Sequence, residues 1–136
     1  KSIASGAFMD KTSQRPIKAP QELVDRGKLY PKLDMEYLPR KIALPDTEPQ
    51  VYEDFPVLKC YIDMNEHVNN ARYLDITDEF VENESAVKRI RVEYKNPLKR
   101  GKAIKAHVYT DEGRKFVELC DENNKPYCIT EYDYRS

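Results

Sequence analysis

Asp63, Asn65 and His67 occupy alternate positions in the stretch Asp63-Met64-Asn65-Glu66-His67-Val68-Asn69-Asn70-Ala71-Arg72-Tyr73. Alternate side chains on an extended backbone leave the same face, so the spacing predicts a carboxylate, an amide and an imidazole in line. Asn69 and Asn70 follow, and an asparagine side-chain oxygen readily accepts from the first free N–H groups of a helix. The pattern is three polar groups on the run-in to a helix, aimed at its N-terminus. Free N–H donors and the positive end of the macrodipole favour an anion or a developing oxyanion there.

That chemistry needs a helix to begin at the junction. From Ala71 onward, Ala71, Leu74 and Val81 with Tyr73, Ile76 and Phe80 make a broad apolar face, and Asp75, Asp78, Glu79 and Glu82 fall opposite. The helix is expected to end near Glu82–Asn83. Before it, Phe55–Ile62 is a short apolar run expected to form a buried strand. After it, Val87–Tyr94 alternates, with Ile90, Val92 and Tyr94 opposed to Arg89, Arg91 and Glu93. Pro97 and Gly101 bound a turn. Lys102–Tyr109 alternates again, with Ile104, Ala106 and Val108 opposed to Lys105, His107 and Tyr109. Asp111-Glu112-Gly113 signals a hairpin before Arg114–Cys120, and Asp121–Pro126 a second turn before Tyr127–Tyr134. One strand, one central helix and a meander of four antiparallel strands make an α+β domain, a curled sheet wrapped against a helix. Such a sheet cannot cover both faces and both edges, so pairing with a second similar domain is expected.

Residues 1–50 have a different texture. Ser2–Met9 is mildly apolar and expected to form one strand, with a turn at Asp10-Lys11-Thr12-Ser13. Pro16, Pro20, Pro31, Pro39, Pro45 and Pro49 exclude long regular elements in the rest, although Gln21–Gly27 can make one or two helical turns after Pro20. No independent core is visible. The segment reads as an extended strap or the tail of a domain whose front lies elsewhere, and the first residue is Lys rather than Met.

Composition narrows the function classes. The 136 residues carry 23 Lys plus Arg against 24 Asp plus Glu, a net charge of -1, which argues against nucleic acid or an anionic membrane as partner. No apolar run approaches the ~20 residues of a membrane span. Nothing resembles a signal peptide, so a cytoplasmic location is expected. Cys60, Cys120 and Cys128 sit in apolar strand-like runs without CxxC spacing, and are expected to be buried free thiols rather than metal ligands or a disulfide. A calcium reading of Asp63-x-Asn65 fails because the glycine and distal glutamate of that loop type are absent.

Asp63-Met64-Asn65-Glu66-His67-Val68-Asn69-Asn70, followed by Arg72-Tyr73-Leu74, closely resembles the D-x-N-x-H-V-N-N-x-x-Y signature of acyl-ACP thioesterases. These are hot-dog-fold enzymes of plants and bacteria that release fatty acids from acyl carrier protein. Ile90-Arg91-Val92-Glu93-Tyr94 and Gly101 are similar to the family's next strand and turn. Phe8-Met9-Asp10-Lys11-Thr12 with Arg15-Pro16 resembles the last strand of a first hot dog and its exit. The resemblance therefore implies residues 1–50 as the tail of a preceding hot dog plus a Pro-rich linker, and 51–136 as a hot-dog domain.

It also implies a fatty acyl thioester as substrate, acyl carrier protein as partner, no metal or organic cofactor, and pairing as a homodimer or with another hot dog. Asp63 and His67 fall on the groups that handle water or stabilise charge, and Asn65 on the orienting amide. The N–H groups around Val68, Asn69 and Asn70 fall where the thioester oxygen is held. The sequence departs from the family at one place. A glutamate usually stands three residues after the tyrosine of the next strand, and that position is Pro97, which can neither take a proton nor position water.

Each residue also has a plainer reading. His67 can cap backbone at the junction, Asp63 can close an Asx turn, and Asn65 can fasten the loop through its amide. Asn69 and Asn70 read as caps before catalysts. His107, on the polar face of a strand, is expected to be solvated, and the ten tyrosines to be strand residues. Lys88, Arg89, Arg91, Lys99, Arg100 and Lys102 form the surface expected to meet acidic acyl carrier protein. Two readings stand: an acyl-ACP thioesterase using Asp63, Asn65 and His67, or a non-catalytic hot-dog half that holds the acyl chain or completes a dimer. A hydrolase or dehydratase acting on acyl-CoA is a third, less favoured by the motif.

Overall fold

The computed structural model describes residues 1–13, 15–28 and 30–135, the side chain of Glu53 excepted. Residues 1–38 and 39–136 form two separate compact units. In the first, β1 (Phe8–Met9) pairs antiparallel with β2 (Pro16–Ile17). The turn between them is held by Asp10, whose Oδ1 accepts from the Ser13 N–H at 2.6 Å. That N–H is the main reason the Asp10 carboxyl lies below its ordinary range. The strand expected from Ser2 begins only at Phe8. Helix α1 (Gln21–Arg26) starts after Pro20 and stops at Gly27. No described residue of 1–38 is buried, so this unit has no core of its own.

The second unit contains β3 (Gln50–Pro56), α2 (Asn70–Asp78), β4 (Arg89–Tyr94), β5 (Ala103–Asp111), β6 (Arg114–Cys120) and β7 (Pro126–Asp133). The strands form one antiparallel sheet in the order β3-β5-β6-β7-β4. The expected meander of four strands is therefore a meander of three. β4 pairs with β7, with Val92 opposite Thr130, and lies at the far edge from β3. Alternation predicts that a segment is a strand but carries no information about which distant strand it joins.

The inner face of the sheet wraps α2. Tyr73 and Ile76 of the helix pack with Ile104, Ala106, Val108, Val117, Leu119, Cys128 and Tyr132 in one buried cluster. Ile104, Ala106 and Val108 face inward as the period of two requires. The hairpin at Glu112–Gly113 has φ of 42° and 78°, the left-handed pair of a type I′ turn, which matches the twist of its flanking strands. The expected buried strand over Phe55–Ile62 instead ends at Pro56, which has no N–H to continue the ladder. Beyond it, Lys59–Tyr61 is a 3-10 turn and Cys60 is exposed, contrary to expectation, while Cys120 and Cys128 are buried free thiols.

Helix α2 ends at Asp78, short of Glu82. Phe80 and Val81 still pack against the core, but through tight i→i+3 bonds to Thr77 and Asp78 carbonyls. Their apolar character extended the apparent helix. Residues 39–49, which the pattern alone leaves with the linker, belong to the second unit. Ile42 is buried on the outer face against Phe116 and Ile129, and its N–H donates to Glu93 Oε2 at 2.9 Å. Arg91 pairs with Glu131 and donates to the Pro39 carbonyl. The polar side of β4 is therefore covered rather than solvated.

Candidate active site

Asp63 to His67 is a turn, not an extended run. The Asp63 N–H donates to the His67 carbonyl at 2.8 Å, and the Glu66 N–H to the Asp63 carbonyl at 3.1 Å, with Glu66 at φ 60°. Asp63 Oδ1 accepts from the Asn65 N–H at 2.8 Å and the His67 N–H at 3.4 Å, which makes an Asx turn. The expectation that Asp63, Asn65 and His67 share one extended face is therefore corrected. A short polar side chain that can cap its own following N–H groups competes with extension, and here it wins. Isolated bridges pair Ile62 with Val68 and His67 with Lys99, fixing the turn against the segment after β4.

The turn feeds directly into α2. Asn69 is its N-cap, with the side chain accepting from the Ala71 N–H at 3.0 Å. Of the N–H groups in the expected oxyanion run, Val68 donates to the Leu98 carbonyl at 2.8 Å and Asn69 to the Tyr61 carbonyl at 2.9 Å. The Asn70 N–H makes no hydrogen bond among the described residues and lies at the positive end of the helix.

A cleft of about 260 Å³ opens at this junction, lined by Asp63, His67, Val68, Asn70, Tyr73, Tyr94, Lys95, Asn96 and Pro97. The fold thus brings Asp63, His67 and Asn70 together, while Asn65 is exposed outside the lining. The His67 imidazole makes no hydrogen bond or ion pair among the described residues and is half-buried. Tyr73 accepts from the Leu98 N–H at 3.0 Å, and the Tyr94 hydroxyl donates to the Asn70 carbonyl at 2.9 Å. Burial raises both phenols above the usual tyrosine range, so they stay protonated. Lys95 pairs with Glu93 at 3.0 Å, and Asn96 Nδ2 donates to the Pro126 carbonyl at 2.7 Å. Tyr73 is a motif position, but Tyr94, Lys95 and Asn96 escape a reading drawn from the motif that treats the other tyrosines as strand filling. The signal available was their place between the motif and Pro97.

A carboxylate, an unbonded imidazole and a free helix N–H around one cleft make a site suited to adding water to a carbonyl group. The wrapped sheet with its single helix is the hot-dog fold. Residues 45–134 match the acyl-ACP thioesterase C-terminal domain family, and the chain belongs to that family. Among solved structures it resembles the 12:0-ACP thioesterase from Umbellularia californica, with 18% identity, a TM-score of 0.70, and 93% of this chain and 52% of that one covered. It likewise resembles an acyl-ACP thioesterase from Bacteroides thetaiotaomicron, with 16% identity, a TM-score of 0.74, and 92% and 52% covered. The chain spans about half the length of these structures. Comparison with curated proteins returns no match. No helix among the described residues is long and apolar enough to cross a membrane.

Proposed function

We propose that the chain hydrolyses a fatty acyl thioester carried on acyl carrier protein, using the cleft at the N-terminus of α2. The observation that carries this reading is the convergence of Asp63, His67 and the Asn70 N–H in a chain of the acyl-ACP thioesterase family. In this mechanism the imidazole and the carboxylate take the proton from an attacking water, and the oxygen adds to the thioester carbon. The Asn70 N–H receives the developing oxyanion, and the thiol leaves with the proton. Asn65 acts through its backbone, since its N–H fixes the carboxylate of Asp63. The cleft is smaller than the ~300–1,000 Å³ of sites that enclose a whole ligand, so it takes the reacting end of the substrate. The rest of the acyl chain would lie in space completed by a second hot-dog domain. The exposed β3 and β4 edges, with Val51, Ile90 and Tyr94 open to solvent, favour that pairing.

Of the basic residues expected to meet an acidic carrier protein, Lys99 lies beside the cleft through its bridge to His67. Arg91 leaves that group because it is tied to Glu131 and the Pro39 carbonyl. The second reading, a non-catalytic half that holds the acyl chain, is favoured by Pro97 lining the cleft where an acid/base group would serve. Steady-state hydrolysis of acyl-ACP and acyl-CoA panels separates the two. The thioesterase reading expects turnover that His67→Ala abolishes with the fold intact. Parental rates in that variant would remove His67 from the mechanism, and a folded chain with no turnover would favour the second reading.

A further inference from the structure

On the outer face of the sheet, opposite α2, His107, Glu118 and Cys120 present one ligand atom each, all within 4.8 Å of one another. Register brings them together. His107 of β5 lies opposite Glu118 of β6, and Cys120 follows two residues on, leaving the same face. The expectation that His107 is solvated is therefore corrected: the side chains of His107 and Glu118 are each 12% exposed, and Cys120 is fully buried.

From this cluster we infer a binding site for a thiophilic divalent cation of the zinc type. Three observations carry it. The first is distance: His107 Nδ1 lies 3.2 Å from Glu118 Oε2 and 3.8 Å from Cys120 Sγ. With metal–nitrogen and metal–oxygen bonds of ~2.0 Å and metal–sulfur bonds of ~2.3 Å, tetrahedral donors stand ~3.3–3.6 Å apart, so little movement is needed. The second is charge. Glu118 is a nearly buried carboxylate with no lysine or arginine partner among the described residues; its contacts are His107 and, at 3.5 Å, the Tyr109 hydroxyl. A divalent cation with one thiolate, one carboxylate and a neutral imidazole forms a neutral centre, the arrangement a buried site tolerates best. The third is connectivity. Glu118 and Cys120 both address the same ring nitrogen of His107, which a cysteine–histidine–carboxylate catalytic triad cannot use but a chelate requires.

Burial pushes the metal-free thiol up to about 11, so it is protonated and cation binding displaces that proton to solvent. The site fastens β5 to β6 on the face opposite the cleft and takes no part in hydrolysis. Cobalt(II) is the direct probe, because a thiolate–cobalt bond gives a near-ultraviolet charge-transfer band and tetrahedral cobalt gives strong visible bands. The expected result is one equivalent bound per chain, displaced by zinc, with the bands retained in Cys60→Ser and His67→Ala and lost in Cys120→Ser. Zinc should raise the Tm of the parent chain and leave that of the folded Cys120→Ser unchanged. Glu118→Gln, which keeps the shape, should weaken binding at least tenfold. Absence of the bands in the folded parent, or bands that follow Cys60 instead, would overturn the inference.

Discussion

Pro97 lies in the cleft beside His67 and Asn70, at the position where the family resemblance leads one to expect a glutamate. Proline offers no group to hold a proton or a water, so in the proposed mechanism the chemistry falls on Asp63 and His67 alone. Asp63 has one oxygen committed to the Asn65 and His67 N–H groups and the other without a hydrogen bond among the described residues. A second carboxylate in this cleft should therefore be additive rather than redundant. Pro97→Glu is expected to raise kcat on acyl thioesters by about 10²-fold, the lower range for a positioned acid or base, as measured by steady-state hydrolysis. An unchanged kcat would mean that the cleft does not hold the reacting carbon next to residue 97. At this scale part of the cleft lining was legible, because Asp63, His67 and Asn70 are motif positions. Their arrangement was not. An Asx turn depends on a side chain choosing its own backbone over extension, and alternation in a sequence cannot register that choice.

Helix α2 is short, and its packing on β7 depends on polar as well as apolar contacts. The Tyr132 hydroxyl accepts from Thr77 Oγ1 at 2.7 Å and donates to Asp78, tying the last turn of the helix to the strand beneath it. Burial raises that phenol far above the tyrosine range, so it remains a donor. Tyr132→Phe keeps the ring and removes both bonds, leaving Asp78 without the phenol and the buried Thr77 hydroxyl with only the Leu74 carbonyl at 3.2 Å. A loss of about 1–3 kcal/mol is expected, measured by equilibrium urea unfolding. Loss below half a kcal/mol would show that water replaces the bond. Elements of this kind were partly legible. The strand over 103–111 follows from Ile104, Ala106 and Val108, and its hairpin from Asp111-Glu112-Gly113, because both signals are local. The end of α2 was misplaced because Phe80 and Val81 pack inward from a turn as well as they would from a helix. The pairing of β4 with β7 and the clustering of His107, Glu118 and Cys120 both depend on long-range register, which no local pattern contains.

Across the second unit, the buried carboxylates Glu131 and Asp133 both lie on β7. Asp133, 5% exposed at the end of β7, is held down to about 2, chiefly by hydrogen bonds from the Arg135 guanidinium. Its carboxyl is therefore easier to ionise folded than unfolded, where it titrates near ~3.9. The resulting stability is complete above that value and lost as pH falls through about 2. Because Arg135 is half exposed, about 1 kcal/mol is a reasonable size. Asp133→Asn should be less stable than the parent at pH 7, and the gap should close between pH ~5 and 2 in acid-unfolding curves; a constant gap would mean a role unconnected with charge. The strap at 39–49 has a different consequence. Ile42 seals Phe116, its N–H occupies Glu93, and Arg91 grips the Pro39 carbonyl. A protease that cut at residues 43–48 would leave every strand and helix of the second unit whole, yet would unzip a greasy seam on its back. The closure of this unit's outer face is thus set not by where its first strand begins but by the loop that comes before it.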